Sequence, residues 1–312
     1  MRFLTPLFLA TLVGIVPLFA EEEPPTFAGT LLPLYPQNET EGQIAIFPYF
    51  FYTREAGFYD ENWEVEEIPN VHQSILLLTL EAGLTKKIDV SIGLEGIHFR
   101  LPNKETTRYG DTALYFGYQF ILDAKAGLFS DLRFIIGEIF PTGQYDHLDP
   151  TLGGLDAAGA GAYQTFLTLI GRKVFYTCCN HAYNWTLSGT YITASRVFLK
   201  GASNYGTPEG TLGAIYPGDI LIGNLGFEFL INKNLGWGLD LHYQHQNSSS
   251  FNPQPTSAFY PGLPSSESFS LAPCIEYNFS AQSSVEAGAW FTVTGRNALA
   301  FQSFVANYYY AF

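Results

Sequence analysis

The sequence predicts an all-β protein, a transmembrane antiparallel up-and-down β-barrel of about twelve strands, with ten or fourteen as the alternative counts. Three observations predict this fold class. Apolar and polar residues alternate along segments of about 11–14 residues, whereas strands of a soluble β-sandwich usually have about five or six. Aromatic residues make up 16% of the chain and charged residues only 14%. Short and long connections alternate between the segments, as the turns and loops of outer-membrane barrels do.

The first 20 residues predict a secretory signal peptide. Arg2 precedes an apolar stretch at 7–19, and acid and proline follow after Ala20. A single membrane anchor is the alternative, but the stretch is short for that role and no basic residues follow it. Residues 21–42 are then expected to form a short periplasmic segment, too short for a full plug domain, and residues 43–312 the barrel.

Twelve strands are predicted from period-two alternation between turn residues. Their approximate ranges are 43–54, 72–82, 88–99, 111–122, 128–140, 160–171, 183–196, 218–230, 235–247, 267–279, 284–295 and 299–312. In the ninth of these, Trp237 and Leu239 share one face, while Asp240 and His242 share the other. One face therefore suits hydrocarbon and the other suits water.

The connections predict the orientation of the barrel. The short ones, expected at the periplasmic end, are 83–87, 123–127, 232–234 and 280–283. The long ones, expected outside, are 55–71, 100–110, 141–159, 197–217 and 248–266. Two connections depart from the alternation, since 172–182 is long for a turn and 295–298 is short for a loop.

The final strand is expected to face lipid with one of its sides. The residues on that side are Phe304, Tyr308, Tyr310 and Phe312. An aromatic residue at this position is typical of the signal that delivers bacterial outer-membrane barrels to their insertion machinery. The expected partners are therefore outer-membrane lipid and that machinery, and the expected location is the bacterial outer membrane.

Several segments carry a family resemblance. They are the hairpin LEAGLTKKIDVSIGLEGI (80–97), the strand YGDTALYFGYQFI (109–121), the Phe140-Pro141-Thr142-Gly143 loop entry, the hairpin at 218–245 and the final hairpin to Phe312. Over roughly residues 73–312 the sequence resembles the meta-pathway phenol-degradation family of outer-membrane proteins, which is similar to the fatty-acid transporter class of barrels. The resemblance implies passive uptake of small hydrophobic or aromatic compounds. A general diffusion porin with weak cation preference is the alternative, followed by a surface adhesin or a lipid-hydrolysing barrel.

Strand parity places a set of polar residues on the inner face. These candidates for lining the lumen are Asp89, Glu95, Asp131, Arg133, Glu228, Asp240, His242, Glu276 and Glu286. Any water-filled lumen is lined with polar residues, which is one interpretation. The other is that recurrent acids disfavour anions and concentrate cations or neutral solutes.

Other chemistry is weakly indicated. The stretch Cys178-Cys179-Asn180-His181 contains soft ligands but no C-x-x-C pair, so no metal site is expected. Lipid hydrolysis would require His245 or His242 together with the serine-rich loop, yet the alternation of the strand places His245 on the lipid-facing side. We therefore expect no catalytic residue and no cofactor. The net charge of −14 excludes a nucleic-acid-binding role.

The aromatic outer loops allow two interpretations. Residues 216–220 and 251–268 join proline with phenylalanine and tyrosine. They could form an apolar collecting surface for a hydrophobic solute, or fold inward to constrict or shield the barrel mouth.

Overall fold

The computed structural model describes residues 27–312 except Pro33, Pro102, Gly153, Leu155 and 178–180. The predicted signal peptide and the cysteine pair at 178–179 lie outside the described residues. No helix in the described part of the chain is long and apolar enough to cross a membrane.

Sixteen strands and one short 3₁₀ turn, Pro150–Leu152, make up the regular structure of the described residues. The strands are β1 (Ile44–Tyr59), β2 (Val65–Thr85), β3 (Ile88–Leu101), β4 (Lys104–Tyr109), β5 (Thr112–Ile121), β6 (Asp131–Phe140), β7 (Gln164–Tyr176), β8 (Ala182–Ala194), β9 (Val197–Lys200), β10 (Leu212–Tyr216), β11 (Ile220–Leu230), β12 (Leu235–Gln246), β13 (Ser250–Pro253), β14 (Ser266–Ser280), β15 (Ser283–Arg296) and β16 (Ala298–Ala311).

The main sheet closes on itself. Neighbouring strands pair antiparallel in chain order, and β1 pairs with both β2 and β16, with Ala45 opposite Ala311 at one end and Tyr59 opposite Ala298 at the other. Strands β4 and β5 both pair with β3, so they form a single wall strand interrupted at Gly110 and Asp111. The wall therefore has twelve strands, and the predicted fold class is confirmed. All twelve predicted strands correspond to wall strands.

The hairpins are longer than the sequence predicts. Residues 55–71, expected to be a loop, are mostly strand, because β1 and β2 continue to Tyr59 and Val65. Likewise β4 occupies much of the expected loop 100–110. A ribbon that projects beyond the membrane has water on both faces, so its sequence loses the alternation that predicts a strand. The connection expected at 172–182 is shorter than predicted, because β7 ends at Tyr176 and β8 begins at Ala182. It therefore fits the alternation of short turns and long loops.

A second, three-stranded sheet lies in the outer loops. Strands β9 and β13 flank β10, and the connections that carry them join β8 to β11 and β12 to β14. Its buried hydrophobic cluster contains Val197, Leu199, Tyr205 and Ile215. The outer loops thus have a small core of their own at the ends of β7, β8, β11 and β12.

The barrel wall is apolar outside and polar inside. Exposed outward residues include Trp185, Leu187, Trp237 and Phe304, and Phe312 is 72% exposed. The buried inner residues are largely charged or amide side chains, among them Asp89, Asp131, Arg133, Glu228 and Glu276. This distribution is the reverse of a soluble core and is the one that a lipid-embedded barrel requires.

Candidate functional site: the lumen and its N-terminal segment

Residues 27–40, called here the luminal segment, lie inside the barrel. Phe27 packs against Ala182 and Leu230 at the inner end of the wall, the end where the short turns and both barrel termini lie. Leu31 packs against Ala272 and Val305 near the middle of their strands. The chain then returns to the inner end, where Gly83 N–H donates to the carbonyl of Gln43 at 3.0 Å. The segment is therefore U-shaped, and its position corrects the periplasmic placement expected from the sequence.

The first arm of the luminal segment is held by carboxylates. Its backbone N–H groups donate from Ala28 to Glu276 (3.1 Å), from Gly29 to Glu228 (3.0 Å) and from Leu32 to Asp240 (3.1 Å). Amide side chains orient these acids: Asn184 donates to Glu228 at 2.7 Å and Asn224 to Asp240 at 2.9 Å. A hydrogen bond within a protein contributes about 0.5–1.5 kcal/mol net to stability.

The second arm is held by side-chain donors that bind its carbonyl oxygens and by side-chain acceptors. Arg133 Nη1 donates to the carbonyls of Tyr35 and Gln37, both at 2.9 Å. Gln119 Nε2 donates to the carbonyl of Pro36 at 3.2 Å, while its Oε1 accepts from Asn38 N–H at 2.8 Å. The barrel thus presents acceptors to the first arm and both donors and acceptors to the second, since Glu39 N–H also donates to Asp89.

Arg133 also joins two buried acids of the wall. Its Nη2 lies 2.9 Å from Glu81 Oε1 and 2.6 Å from Asp89 Oδ2, and its side chain is 1% exposed. A second pair follows along the wall, where Arg172 Nε donates to Asp131 Oδ2 at 2.8 Å. On the β2–β7 side of the lumen, two arginines thus pair with three acids.

The opposite side of the lumen is acidic. Glu228, Glu276 and Glu286 each present a carboxylate oxygen, and these oxygens lie within 4.8 Å of one another. Asn307 Nδ2 donates to Glu286 at 2.5 Å. Three carboxylates could contribute to a site for a hard cation, which takes six to eight oxygen ligands when it is Ca²⁺. In the structure, two of the three also serve as acceptors for the luminal segment.

An apolar cavity of about 370 Å³ lies in the outer half of the lumen. Its lining includes Phe51, Leu77, Trp290 and Phe301. Leu31 and Leu32, at the apex of the luminal segment, belong to the hydrophobic cluster that also contains Phe51 and Trp290. The apex therefore shares a hydrophobic cluster with two residues of the cavity lining.

A larger cavity lies at the inner mouth. Its volume is about 780 Å³, and its lining includes Phe27, Tyr35, Arg172 and Tyr176. Because Phe27 and Tyr35 belong to different arms, this cavity opens between the luminal segment and the wall. The segment thus separates an outer, apolar space from an inner, more polar one.

The predicted lumen residues lie on the inner face in two groups. Six of them contact the luminal segment: Asp89, Asp131, Arg133, Glu228, Asp240 and Glu276. Glu286 lies beside the last of these, whereas Glu95 lines the outer cavity. His242 contacts the edge of Trp290, with ring centres 5.8 Å apart.

Sequence reasoning missed Glu81, Arg172 and Trp290. Glu81 lies two residues after Thr79 in β2, so the alternation of the strand could have placed it on the inner face. Arg172 falls within the turn that the sequence predicts at 172–182, whereas the structure places it in β7. Trp290 is an aromatic residue of the kind that usually faces lipid. Only its position in β15, an even number of residues from Glu286 and Gly288, indicates that it points inward.

The outer loops pack on one another. Phe251 and Tyr260 lie with ring centres 5.5 Å apart, and the Tyr260 hydroxyl donates to the carbonyl of Tyr205. Burial raises the pKa of the Tyr260 hydroxyl. The shielding interpretation fits these two aromatics, while Phe259 is 86% exposed and remains available to solvent.

One carboxylate ties an outer loop to the wall. Asp111 accepts from Gly143 N–H at 2.9 Å and from Ala160 N–H at 2.7 Å. Burial raises the pKa of Asp111, while these backbone donors act in the opposite direction. The connection from β6 to β7 is therefore fixed at two points by one side chain.

The rim histidine considered for hydrolysis has other partners. His245 Nδ1 lies 3.5 Å from Glu267, and its Nε2 lies 3.2 Å from Asn247 Oδ1. Arg296 binds the same Glu267 carboxylate at 2.7 Å. His245 thus belongs to a charged group at the outer rim.

The closed barrel, apolar outside and polar inside, defines the class of protein, a bacterial outer-membrane β-barrel. Its structure is similar to that of the COG4313 outer membrane channel from Pseudomonas putida F1, with 13% sequence identity, 91% of this chain and 100% of that chain covered, and a TM-score of 0.68. This similarity concerns the fold, a closed barrel of the outer membrane.

Two further solved structures are less similar. The beta domain of the Bordetella autotransporter Brka matches at 14% identity, with 86% of this chain and 99% of that chain covered and a TM-score of 0.48. The CymD monoaromatic hydrocarbon channel matches at 11% identity, with 88% of each chain covered and a TM-score of 0.38. No protein-family model matches the chain, and no curated protein matches it.

Proposed function

We propose that the protein is an outer-membrane channel for passive uptake of small hydrophobic or aromatic compounds, closed from the periplasmic side by the luminal segment. The observation that carries the proposal is the outer cavity of about 370 Å³. Aromatic and aliphatic side chains supply most of its lining, and two of them, Phe51 and Trp290, belong to the same hydrophobic cluster as Leu31 and Leu32 of the luminal segment. An apolar space of this size inside an otherwise polar lumen suits a small apolar solute.

The attachment of the luminal segment supports a movable closure. Apart from the isolated bridge of Glu41 to Gly83, the described segment has no strand pairing with the wall. Side chains hold it, and water can replace each of these hydrogen bonds when the segment leaves. A solute in the outer cavity would then pass the displaced apex and enter the inner cavity.

The same arrangement weighs against a permanently open general pore. The luminal segment and buried ion pairs occupy the inner half of the lumen, where a general pore needs a continuous water column. The acidic side near Glu228 and Glu276 would give such a pore a cation preference. Conductance therefore separates the two functions.

The test compares the chain from residue 21 with the same chain lacking residues 27–40, both refolded and inserted in planar bilayers. We expect rare openings for the first and steady, larger conductance for the second. A neutral aromatic such as benzyl alcohol should reduce the conductance of both. Heat-modifiable gel mobility checks that each barrel is folded.

Two results would contradict the proposal. Equal, steady conductance from both chains, unaffected by the aromatic compound, would indicate a general diffusion pore. No conductance from either folded chain would show that the barrel does not conduct, and the adhesive and lipid-hydrolysing alternatives would then be tested.

We also propose that β16 is the segment recognised by the barrel-insertion machinery. Its outward residues Phe304, Tyr308, Tyr310 and Phe312 are exposed aromatics, with Ala306 between the first two. Replacing Phe312 with Ala should lower the amount of assembled barrel in cells and leave refolding in detergent unchanged. If the variant and the unchanged protein assembled in equal amounts in cells, Phe312 would have no such role.

A further inference from the structure

The outer cavity combines an aromatic lining with acidic side chains. Phe51, Trp290 and Phe301 supply rings, and Glu55 and Glu95 supply carboxylates. No Lys, Arg or His belongs to its lining among the described residues. The two carboxyl groups add a second feature to this site, because a charged group in a half-buried apolar site is unfavourable without a partner.

The three rings are arranged around Trp290. Its ring lies 6.4 Å from that of Phe51 at an interplanar angle of 64°, and 4.8 Å from that of Phe301 at 77°. The indole nitrogen donates to Ser270 Oγ at 2.8 Å, which fixes the orientation of the ring. Rings inclined in this way present faces in different directions, and the negative face of an aromatic ring attracts a cation.

The two carboxylates have no partner of their own. Within the described residues, the side chains of Glu55 and Glu95 make no hydrogen bond and no ion pair, although both are half-buried. Other half-buried acids of the outer region are partnered; Glu267, for example, binds Arg296. These two unpaired carboxyl groups therefore belong to the outer cavity itself.

We propose that the outer cavity binds hydrophobic organic cations, such as an aromatic ammonium ion. The aromatic rings contact the apolar and cationic surface of the ligand, and Glu55 and Glu95 supply the counter-charge. This inference names the substrate class of the proposed channel and rests on that function for passage through the barrel. Binding itself depends only on the folded cavity.

The test measures binding apart from conductance. The refolded chain in detergent micelles is titrated calorimetrically with benzyltrimethylammonium and with neopentylbenzene, its neutral isostere, and titrations into empty micelles are subtracted. We expect the cation to bind about tenfold more tightly than the isostere, the factor that corresponds to about 1.4 kcal/mol. Equal affinity for the two probes would overturn the inference.

Variants locate the site. The double variant Glu55→Gln with Glu95→Gln should lose about tenfold in affinity for the cation and keep its affinity for the isostere. Glu66→Gln, which changes an exposed acid of β2, is the matched control and should bind both probes as before. Unchanged cation affinity in the double variant would place binding elsewhere and overturn the assignment.

The two proposals fail in different ways. Normal gated conductance without cation binding would overturn this inference and leave the channel function standing. Cation binding that is lost on Glu55→Gln with Glu95→Gln, in a barrel that never conducts, would leave the site standing and overturn the channel function.

Discussion

The backbone N–H of Gly29 donates to Glu228 Oε1 at 3.0 Å, across 199 positions of sequence. This contact fixes the first arm of the luminal segment against the acidic side of the lumen. Gly29 has a φ of 104°, and a Cβ at this position would lie 3.1 Å from the ring of Tyr35 in the second arm. The bent segment therefore depends on a glycine at the point where it meets Glu228.

Gly29→Ala is expected to make the channel open more often. A side chain at this positive φ costs about 1–2 kcal/mol, and the cost applies only to the bound segment. The open fraction in single-channel recordings should rise about fivefold or more, since 1.4 kcal/mol corresponds to a factor of ten. Gly96→Ala is the control, because a Cβ there meets nothing within 4 Å. An unchanged open fraction would mean that the segment does not gate the pore.

Gly226→Val is expected to displace the apex region without any change of charge. A Cβ at Gly226 would lie 2.5 Å from Thr30 Oγ1, and valine is a good strand residue, so the wall should tolerate it. Gly223→Val is a matched control on the same strand, because a Cβ at Gly223 has open space around it. Single-channel recording should show more frequent opening for the first variant only. The same behaviour from both would indicate a general effect on β11.

Arg133→Met is expected to destabilise the barrel by about 3–5 kcal/mol, because it leaves Asp89 and Glu81 buried without their cation. Urea unfolding of the refolded protein, followed by tryptophan fluorescence, measures the change. Adding Asp89→Asn should restore part of the loss, since one uncompensated charge is removed. Arg100→Met, at an exposed position of β3, should change little. A loss no larger than that of Arg100→Met would show that the buried pairs contribute little.

Asp111→Ala is expected to release the connection between β6 and β7. It removes the acceptor for both Gly143 N–H and Ala160 N–H, while the barrel wall keeps its own pairing. Amide hydrogen exchange in residues 142–161 should become at least about tenfold faster, with β5 and β6 unchanged. Asp149→Ala, in the same loop, is the control, because among the described residues the Asp149 carboxylate accepts hydrogen bonds only from the nearby Thr151. Unchanged exchange at Gly143 and Ala160 would contradict the anchoring role.

The wall strands could be predicted from the sequence because each strand has lipid on one side and the lumen on the other, and its own residues alternate accordingly. Parity alone places Trp237 outside and Asp240 inside, whatever the neighbouring strands do. The projecting ribbons could not be read in this way, since Glu66 and Glu67 in β2 belong to a hairpin exposed to water on both faces. Parity also placed Asp89, Glu228 and Glu276 on the inner face without indicating what they bind.

By itself, the sequence determined the class of barrel, the twelve wall strands and the inward set of charges, because alternation is a local property that each strand carries alone. Only the tertiary structure decided that residues 27–40 fold back into the lumen, that Arg133 serves both the wall and the segment, and that Glu55 and Glu95 share a cavity with Trp290. These contacts join residues far apart in the chain. They exist only because closure of β1 on β16 encloses a narrow space in which the strands face one another.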